Sequence, residues 1–209
     1  MTSLTLVRHG TTEWIEQGRL HGILDAPLSA RGRQESELAA TALAAMHFDA
    51  LYTSPLGRAR ETAATIGRSI GLDPVPVEGL REMDFGWLEG GRLFNFTRDN
   101  PLQRSLRSAW ISLIVQLSGE ARPRFGARVV ATARELAGRH PGQRILAVIH
   151  MAVRNNLLAR LVDRDPAAWV RYDGWPPCSF TELELEPQGP ARVIRLEVSD
   201  HLSLLRTTA

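Results

Sequence analysis

Short apolar runs alternate with amphipathic stretches along the first part of the chain. Residues 4–7 and 49–53 are rich in aliphatic, aromatic and β-branched side chains over lengths typical of buried strands. After Ser29, a good helix N-cap, apolar residues recur at steps of three and four and predict an amphipathic helix. Ser54 precedes a proline and a second stripe of this kind, which predicts an N-cap and a helix that Gly71 ends.

The second half of the chain continues this alternation and ends in a hairpin. Residues 144–149 form an almost uninterrupted apolar run, typical of a central strand covered on both faces. Further elements are predicted as a weak edge strand at 75–77, helices at about 123–137 and 153–161, and paired strands at 179–186 and 192–199. Between 92 and 122 the pattern is less regular and predicts one helix with an apolar face of Leu102, Leu106, Trp110, Leu113 and Leu117.

The order of these elements predicts the fold class. Strands that alternate with helices favour a mainly parallel sheet between helical layers. We therefore expect an α/β fold, a three-layer α/β/α sandwich with a mainly parallel central sheet, a C-terminal β-hairpin and a short helical insert. At 209 residues the chain has the size of one large domain. Residues 1–209 are accordingly expected to form a single domain with a helical lid insert at about 91–122.

The composition narrows the class of protein. Cys178 is the only cysteine, so neither an internal disulfide nor a cysteine cluster for a metal can form. All 25 basic residues are arginine, but they are spread along the chain and the net charge is only +2, so no nucleic-acid partner is expected. No apolar run approaches the ~18 residues of a membrane span and no signal sequence is recognisable, so we expect a cytoplasmic protein that binds no membrane.

Two of the predicted strands end directly in a histidine, His9 and His150. In parallel α/β sheets, ligands bind beyond the carboxyl ends of the strands. If these two strands are neighbours, the two histidines face each other across one crevice. The segments that carry Arg58 and Glu82 can then close over it.

Five blocks of sequence stand in a recognisable order along the chain. They are Arg8-His9-Gly10, the segment 25–29 with Gly32, the segment 54–63, the segment 82–90, and Val148-Ile149-His150. Together these blocks resemble the motifs of the histidine phosphatase superfamily, to which the cofactor-dependent phosphoglycerate mutases also belong. The resemblance spans nearly the whole chain, and only the insert lacks a recognisable counterpart.

The resemblance implies how a phosphoryl group is attacked and held. His9 would attack phosphorus and become a phosphohistidine, a role that suits a neutral imidazole with an ordinary pKa of about 6.5. Arg8, Arg58 and His150 would bind the phosphoryl oxygens, because guanidinium groups match the geometry of phosphate and stabilise charge that grows in the transition state. No metal and no cofactor are expected.

The resemblance also implies a general acid. Glu82 would protonate the departing alcohol oxygen and later take a proton from the water that hydrolyses the phosphohistidine. Asp84 and Glu89 are carboxylates close to it in sequence and remain alternatives for this role.

The chain departs from the family pattern at three positions around the expected phosphate site. Ile15 stands where the family often has asparagine, His21 where it often has glutamine, and Met151 where it commonly has glycine. One amide donor is thereby lost, and His21 is a candidate to replace it as a phosphate-binding residue. Met151 adds bulk where the backbone approaches the ligand.

The expected activity is hydrolysis of a small organic phosphate monoester, with a small phosphorylated metabolite as the partner. Phosphoglycerate mutase-type transfer is the first alternative, although the insert is short and the chain has no lysine. A noncatalytic phosphate-binding domain on the same fold is the second, since a fold does not guarantee activity. The natural substrate is not predicted, and a homodimer is compatible with the sequence but not required by it.

Overall fold

A six-stranded sheet forms the centre of the protein in a computed structural model that describes residues 1–92, 113–172, 174–186 and 188–206. The strands are β1 (Thr2–Arg8), β2 (Ala50–Thr53), β3 (Val75–Pro76), β4 (Arg144–Ile149), β5 (Phe180–Leu185) and β6 (Ala191–Val198). Their spatial order is β3-β2-β4-β1-β5-β6. The first four strands of this order run parallel, whereas β5 is antiparallel to β1 and forms the predicted hairpin with β6.

Helices connect the parallel strands and extend beyond them. Those between the parallel strands are α1 (Glu13–Glu16), α2 (Ala30–Ala44), α3 (Gly57–Ile70) and α4 (Arg122–Arg139), and residues 113–118 are also helical. After β4 comes α5 (Met151–Leu157), and after β6 comes α6 (Ser203–Arg206). A π-helical turn, Leu158–Val162, continues α5. Short 3₁₀ turns lie at Glu78–Leu80, Gly86–Leu88, Pro166–Tyr172 and Asp200–Leu202. Nowhere in the described ranges is a helix both long enough and apolar enough to cross a bilayer.

The side chains of β4 show how the layers are joined. Ile145, Ala147 and Ile149 pack on one face of the sheet against α4 and α5. Leu146 and Val148 pack on the other face against α2 and α3. All five side chains are fully buried, as expected for a central strand of a parallel sheet covered on both faces. The predicted fold class, a three-layer sandwich with a mainly parallel sheet, is confirmed.

The start of α2 agrees with the sequence prediction, but the start of α3 does not. Ser29 caps α2 by accepting a hydrogen bond from the Gly32 N–H. Ser54, however, is not the N-cap, because α3 begins at Gly57, two residues later than a cap at Ser54 requires. Its hydroxyl instead contacts a side chain of the candidate active site, described below. Gly71 ends α3 in the left-handed conformation, as predicted.

The helix after β4 and the insert differ from the sequence prediction in what the structure describes. The helix predicted at about 153–161 begins earlier, at Met151, so that His150 is the residue at its N-cap. Most of the predicted insert, including Leu102, Leu106 and Trp110, lies outside the described residues, and the division into one domain with a lid stays a prediction. Within the described part of the insert, Leu113 and Leu117 of the predicted apolar face are exposed.

The loop after β1 rests directly on the backbone of α2. A Cβ atom on Gly32 would lie 1.9 Å from the Thr11 carbonyl oxygen, and one on Gly10 would lie 2.5 Å from the Gly32 carbonyl oxygen. Neither position has room for a methyl group. This backbone contact fixes the position of the loop after His9 against α2.

Replacing Gly32 with alanine is expected to lower the free energy of unfolding by about 1–3 kcal/mol, because the added methyl group would collide with backbone atoms that cannot rotate away. Gly138, in α4, is the matched control, since a Cβ there meets nothing within 4 Å. Gly138→Ala is expected to raise the free energy of unfolding by up to about 1 kcal/mol. Urea denaturation followed by circular dichroism compares the proteins, and a Gly32→Ala variant as stable as wild type would contradict the contact.

Candidate active site

His9 and His150 lie side by side at the carboxyl ends of β1 and β4. These strands are parallel neighbours with Arg8 opposite Ile149, and the His9 N–H donates to the Ile149 carbonyl at 3.1 Å. The two ring centroids are 5.1 Å apart, and both side chains are buried. The expectation that these two strands are neighbours is therefore confirmed.

The imidazole of His9 is fixed in one tautomer. Its Nδ1 lies 2.8 Å from the carbonyl oxygen of Gly10, and a carbonyl can only accept, so Nδ1 carries the proton and Nε2 keeps its lone pair. Burial lowers the pKa of His9 well below its ordinary value, and the guanidiniums of Arg58 and Arg8 lower it further. The ring is thus neutral at pH 7, with a nucleophilic nitrogen.

His150 is held from the neighbouring strand by Ser54. Its Nε2 lies 2.7 Å from the Ser54 hydroxyl oxygen, and the Ser54 N–H is anchored to the Val148 carbonyl at 2.9 Å. Burial, and then the charge of Arg58, lower the pKa of His150 well below its ordinary value. Its Nδ1 is buried and has no hydrogen-bond partner among the described residues, which leaves that atom for a ligand.

Arg58 is buried, and its guanidinium is held by two backbone carbonyls and a carboxylate. Its guanidinium donates to the carbonyl oxygens of Gly22 at 2.7 Å and Leu24 at 3.1 Å, and to the Asp25 carboxylate at 2.9 Å. Asp25 also accepts hydrogen bonds from the backbone N–H groups of Gly57 and Arg58, so it caps α3 in the place predicted for Ser54. One carboxylate therefore fixes both the first turn of this helix and the arginine on it.

Arg8 approaches the crevice from the end of β1. Its guanidinium donates to the Trp175 carbonyl oxygen, while its Nε is buried without a partner in the described structure. Burial lowers the pKa of Arg8 to about 10, against the opposing effect of the nearby Glu82 carboxylate. The side chain keeps its positive charge at neutral pH.

Glu82 is buried, and its carboxyl group lies beside the first turn of α5. Its two oxygens accept hydrogen bonds from the Met83 N–H at 2.9 Å and from the Ala152 N–H at 3.3 Å, the latter in the first turn of that helix. Burial raises the pKa of Glu82, and these N–H groups together with Arg58 oppose the rise. A carboxyl in this setting keeps its proton to a higher pH than an exposed one.

The alternative carboxylates are engaged elsewhere. Asp84 accepts from the Gly86 N–H at 2.7 Å. Glu89 accepts from three backbone N–H groups, those of Ile23, Leu24 and Phe85, and so ties two loops together. Glu82 interacts electrostatically with both Arg8 and Arg58. Glu89 also acts on Arg58, but its carboxylate is taken up by the three N–H groups. The described residues contain no group of three or more His, Cys, Asp or Glu side chains that could hold a metal ion.

Comparison with known proteins identifies the family. The family model described as histidine phosphatase superfamily, branch 1, matches residues 4–197. The chain belongs to this superfamily. It is 27% identical over 205 residues to phosphoserine phosphatase 1 of Hydrogenobacter thermophilus, an alignment that covers 97% of this chain and 95% of the relative. It is 31% identical over 187 residues to a Shigella boydii protein named probable phosphoglycerate mutase, with 89% and 86% covered.

Solved structures agree with this assignment. A mycobacterial glucosyl-3-phosphoglycerate phosphatase superposes with a TM-score of 0.79 at 26% identity, covering 94% of this chain and 99% of that one. The resemblance seen in the five sequence blocks is confirmed, and the chain is an enzyme of the histidine phosphatase superfamily. Relatives named as phosphatases and as mutases are both among the matches.

His21, which replaces the glutamine common in the superfamily, lies at the edge of the crevice. Its ring centroid is 6.3 Å from that of His9 and 5.1 Å from that of Trp14. Its Nε2 lies 2.6 Å from the Thr12 hydroxyl oxygen, and its buried Nδ1 has no partner in the described structure. Burial, and next the charge of Arg58, lower the pKa of His21 to about 4, so the ring is neutral.

Two buried polar residues that the sequence analysis did not single out hold the loop after β1. The Gly10 N–H donates to the Thr62 hydroxyl oxygen at 3.1 Å, and the Thr11 N–H donates to the Glu35 carboxylate at 2.9 Å. Both acceptors lie on buried helix faces. A carboxylate on the buried face of the helix was the available signal for Glu35. Thr62 and Ser54 lie within the block 54–63, but nothing in the sequence indicates their partners.

The folded protein is expected to lose stability as the pH falls from about 7.5 to about 5.5, because the unfolded chain then binds protons that the folded chain does not. His9, His21 and His150 all have a folded-state pKa below the unfolded value. Each contributes stability that is present above about pH 6.5 and is lost as the pH falls, at about 1.4 kcal/mol per pH unit and proton. The raised pKa of Glu82 has the opposite effect and adds stability as the pH falls. This single group is outweighed by the three histidines.

The measurement is the free energy of unfolding in urea at several pH values. His21→Gln is expected to make the loss on acidification smaller by about one proton's contribution. His47→Gln is the control, since the His47 side chain is 80% exposed, and it should leave the loss unchanged. A wild-type protein that is equally stable at the two ends of the range would be inconsistent with neutral, buried histidines.

Proposed function

We propose that the protein is a phosphatase that hydrolyses a small organic phosphate monoester through a phosphohistidine on His9. The observation that carries this proposal is the tautomer of His9. Its Nδ1–H is bound to the Gly10 carbonyl at 2.8 Å, so the Nε2 lone pair is free at the carboxyl end of the parallel sheet. Two guanidiniums and a second neutral imidazole surround this nitrogen.

In the first step, Nε2 of His9 attacks phosphorus and forms the P–N bond while the bond to the substrate oxygen breaks. Glu82 gives its proton to that oxygen, so the leaving group departs as a neutral alcohol. The raised pKa of Glu82 supports this role, because a carboxyl must still be protonated when the substrate binds. An imidazole nucleophile needs no metal to be reactive at neutral pH.

The phosphoryl oxygens are assigned to donors that already lie around His9. Arg58 is held rigidly by Asp25 and two carbonyl oxygens, so little side-chain freedom is lost on binding phosphate. Arg8 and the unpartnered Nδ1 of His150 supply further donors. The buried Nδ1 of His21 is assigned to the same oxygens or to the leaving-group side. Such preorganised donors stabilise the charge that develops on the oxygens in the transition state.

In the second step, a water molecule attacks the phosphohistidine. Glu82, now ionised, takes a proton from this water, the P–N bond breaks and phosphate leaves with His9 neutral again. The pKa of Glu82 is raised by burial and moderated by two N–H groups and Arg58, a balance that suits a group that must give and then take a proton.

Replacing His9 with alanine is expected to reduce hydrolysis of p-nitrophenyl phosphate by roughly 10³-fold or more, because the nucleophile is lost. Wild type should turn over in the presence of a chelator and should carry an acid-labile, base-stable phosphoryl label after rapid quenching. His47→Ala removes an exposed histidine and should retain both turnover and label. Undiminished turnover in His9→Ala would refute the phosphohistidine assignment.

Replacing Glu82 with glutamine is expected to slow hydrolysis of an alkyl phosphate by about 10²–10⁴-fold, because the poor leaving group needs its proton. An aryl phosphate, which leaves readily as an anion, should be affected much less in its first step. Glu78→Gln is the control, since the Glu78 side chain is 71% exposed in an ion pair with Arg81. Equal effects of Glu82→Gln on burst rates with both substrates would show that another group is the acid.

A mutase is the second candidate, favoured by the 31% identity to the Shigella boydii protein named probable phosphoglycerate mutase. In that reaction the phosphoryl group on His9 passes to an acceptor hydroxyl instead of to water. Isomerisation of a phosphorylated sugar acid that depends on a bisphosphate primer, and that outpaces phosphate release, would favour the mutase. Release of inorganic phosphate without a primer would favour the phosphatase.

A further inference from the structure

A second cavity lies far from His9, between α4, the π-helical turn Leu158–Val162 and the turn of the C-terminal hairpin. It encloses about 300 Å³, and Leu161 and residues 188–190 form part of its lining. Three arginines also line it, Arg134 from α4, Arg160 from the π-helical turn, and Arg164 just beyond that turn. We refer to it as the three-arginine pocket.

The three arginines converge without counter-ions. Within the described ranges, none of their guanidiniums forms an ion pair or a hydrogen bond, and the Nε atoms of Arg134 and Arg160 are buried without a partner. Arg128, two turns earlier in α4, shows the contrast, because it pairs with Glu120 at 2.5 Å. The Glu186 carboxylate lies near Gly189 on the rim, but it is not within ion-pair distance of the three.

Gly126 leaves space for the guanidinium of Arg160. A Cβ atom on Gly126 of α4 would lie 2.1 Å from Nε and 2.4 Å from Cζ of Arg160. The guanidinium thus lies directly against the helix backbone, in a space that only glycine leaves open. Placing unpaired positive charges together in a partly buried space is unfavourable unless an anion joins them.

The pocket is separate from the candidate active site. The hairpin turn follows Leu185, which pairs with both Thr2 and Ala191, so the turn lies beside the first residue of β1. His9 follows the last residue of that seven-residue strand, about 20 Å away at ~3.3 Å per residue. A ligand in the pocket is therefore out of reach of His9.

We propose that the three-arginine pocket is a second anion site that binds the phosphoryl group of a small molecule. Three guanidiniums from different segments offer donors in several directions, which suits the tetrahedral oxygens of a phosphoryl group. A carboxylate, with two coplanar oxygens, is satisfied by a single guanidinium fork. The site is independent of the activity proposed for His9 and would stand if that activity were disproved.

The test is equilibrium dialysis of the intact protein against radiolabelled inorganic phosphate at constant ionic strength. One equivalent of phosphate is expected to bind at least about tenfold more weakly in Arg134→Gln and in Arg164→Gln, since each variant removes a charge-assisted hydrogen bond to the anion. Arg124→Gln, an exposed arginine of the same helix, should retain this equivalent. Arg58→Gln should retain it too, whereas phosphate at the active site should be lost in that variant.

The pattern of losses, not the total stoichiometry, decides the outcome. An equivalent that responds to Arg134 and Arg164 but not to Arg124 or Arg58 supports the pocket, even if no phosphate binds near His9. If no equivalent has this pattern, the proposal is overturned. Arg164 is exposed and its replacement should leave folding intact, and thermal unfolding of each variant without phosphate verifies that it is folded.

Discussion

The parallel pairing of β1 with β4 is the constraint on which the site depends. It brings two chain segments about 140 residues apart into register, so that the residues after each strand, His9 and His150, share one space. Every other group at the site is arranged around this pair. Ser54 reaches His150 because β2 pairs with the other edge of β4, and Glu82 is bound by the helix that follows His150. The strand order thus determines where the site lies on the sheet.

Burial at this junction sets the protonation states that the chemistry requires. It keeps the imidazoles neutral, because a buried cation between two arginines is strongly disfavoured, and it favours the protonated form of Glu82. Arg8 remains charged, since its pKa, lowered to about 10, leaves the guanidinium protonated at neutral pH. Burial also lowers the pKa of Arg58, but the Asp25 carboxylate opposes this and favours the charged form. The backbone carbonyl and carboxylate partners of the two guanidiniums partly offset the desolvation of the charges. One low-dielectric space therefore holds a neutral imidazole, a buried carboxyl group and two guanidiniums together.

The sequence predicted the helices and strands better than it predicted the residues that hold the side chains of the site in place. The strand at 144–149 and the cap at Ser29 follow from local patterns, and so they agree with the structure. Asp25 and Ser54 illustrate the limit, because their partners, Arg58 and His150, are distant in sequence and an N-cap signal is local. Ser-Pro before a helical stripe predicts a cap correctly on average, but here tertiary contacts supply the cap from Asp25 and free Ser54 for another use. The carboxylate of Glu82 could be proposed from its motif, whereas its burial and its helix partner could not.

The contact between the loop after β1 and the backbone of α2 has a consequence for engineering this enzyme toward other substrates. Gly10 and Gly32 meet through main-chain atoms next to His9. This floor of the site, formed by the two glycines, has no side chains whose replacement would reshape it. Libraries that randomise this floor would mostly return inactive proteins. The rim is more permissive, since Trp14 and His21 present side chains rather than backbone there. New specificity is therefore best sought by varying the rim and leaving the glycine contact untouched.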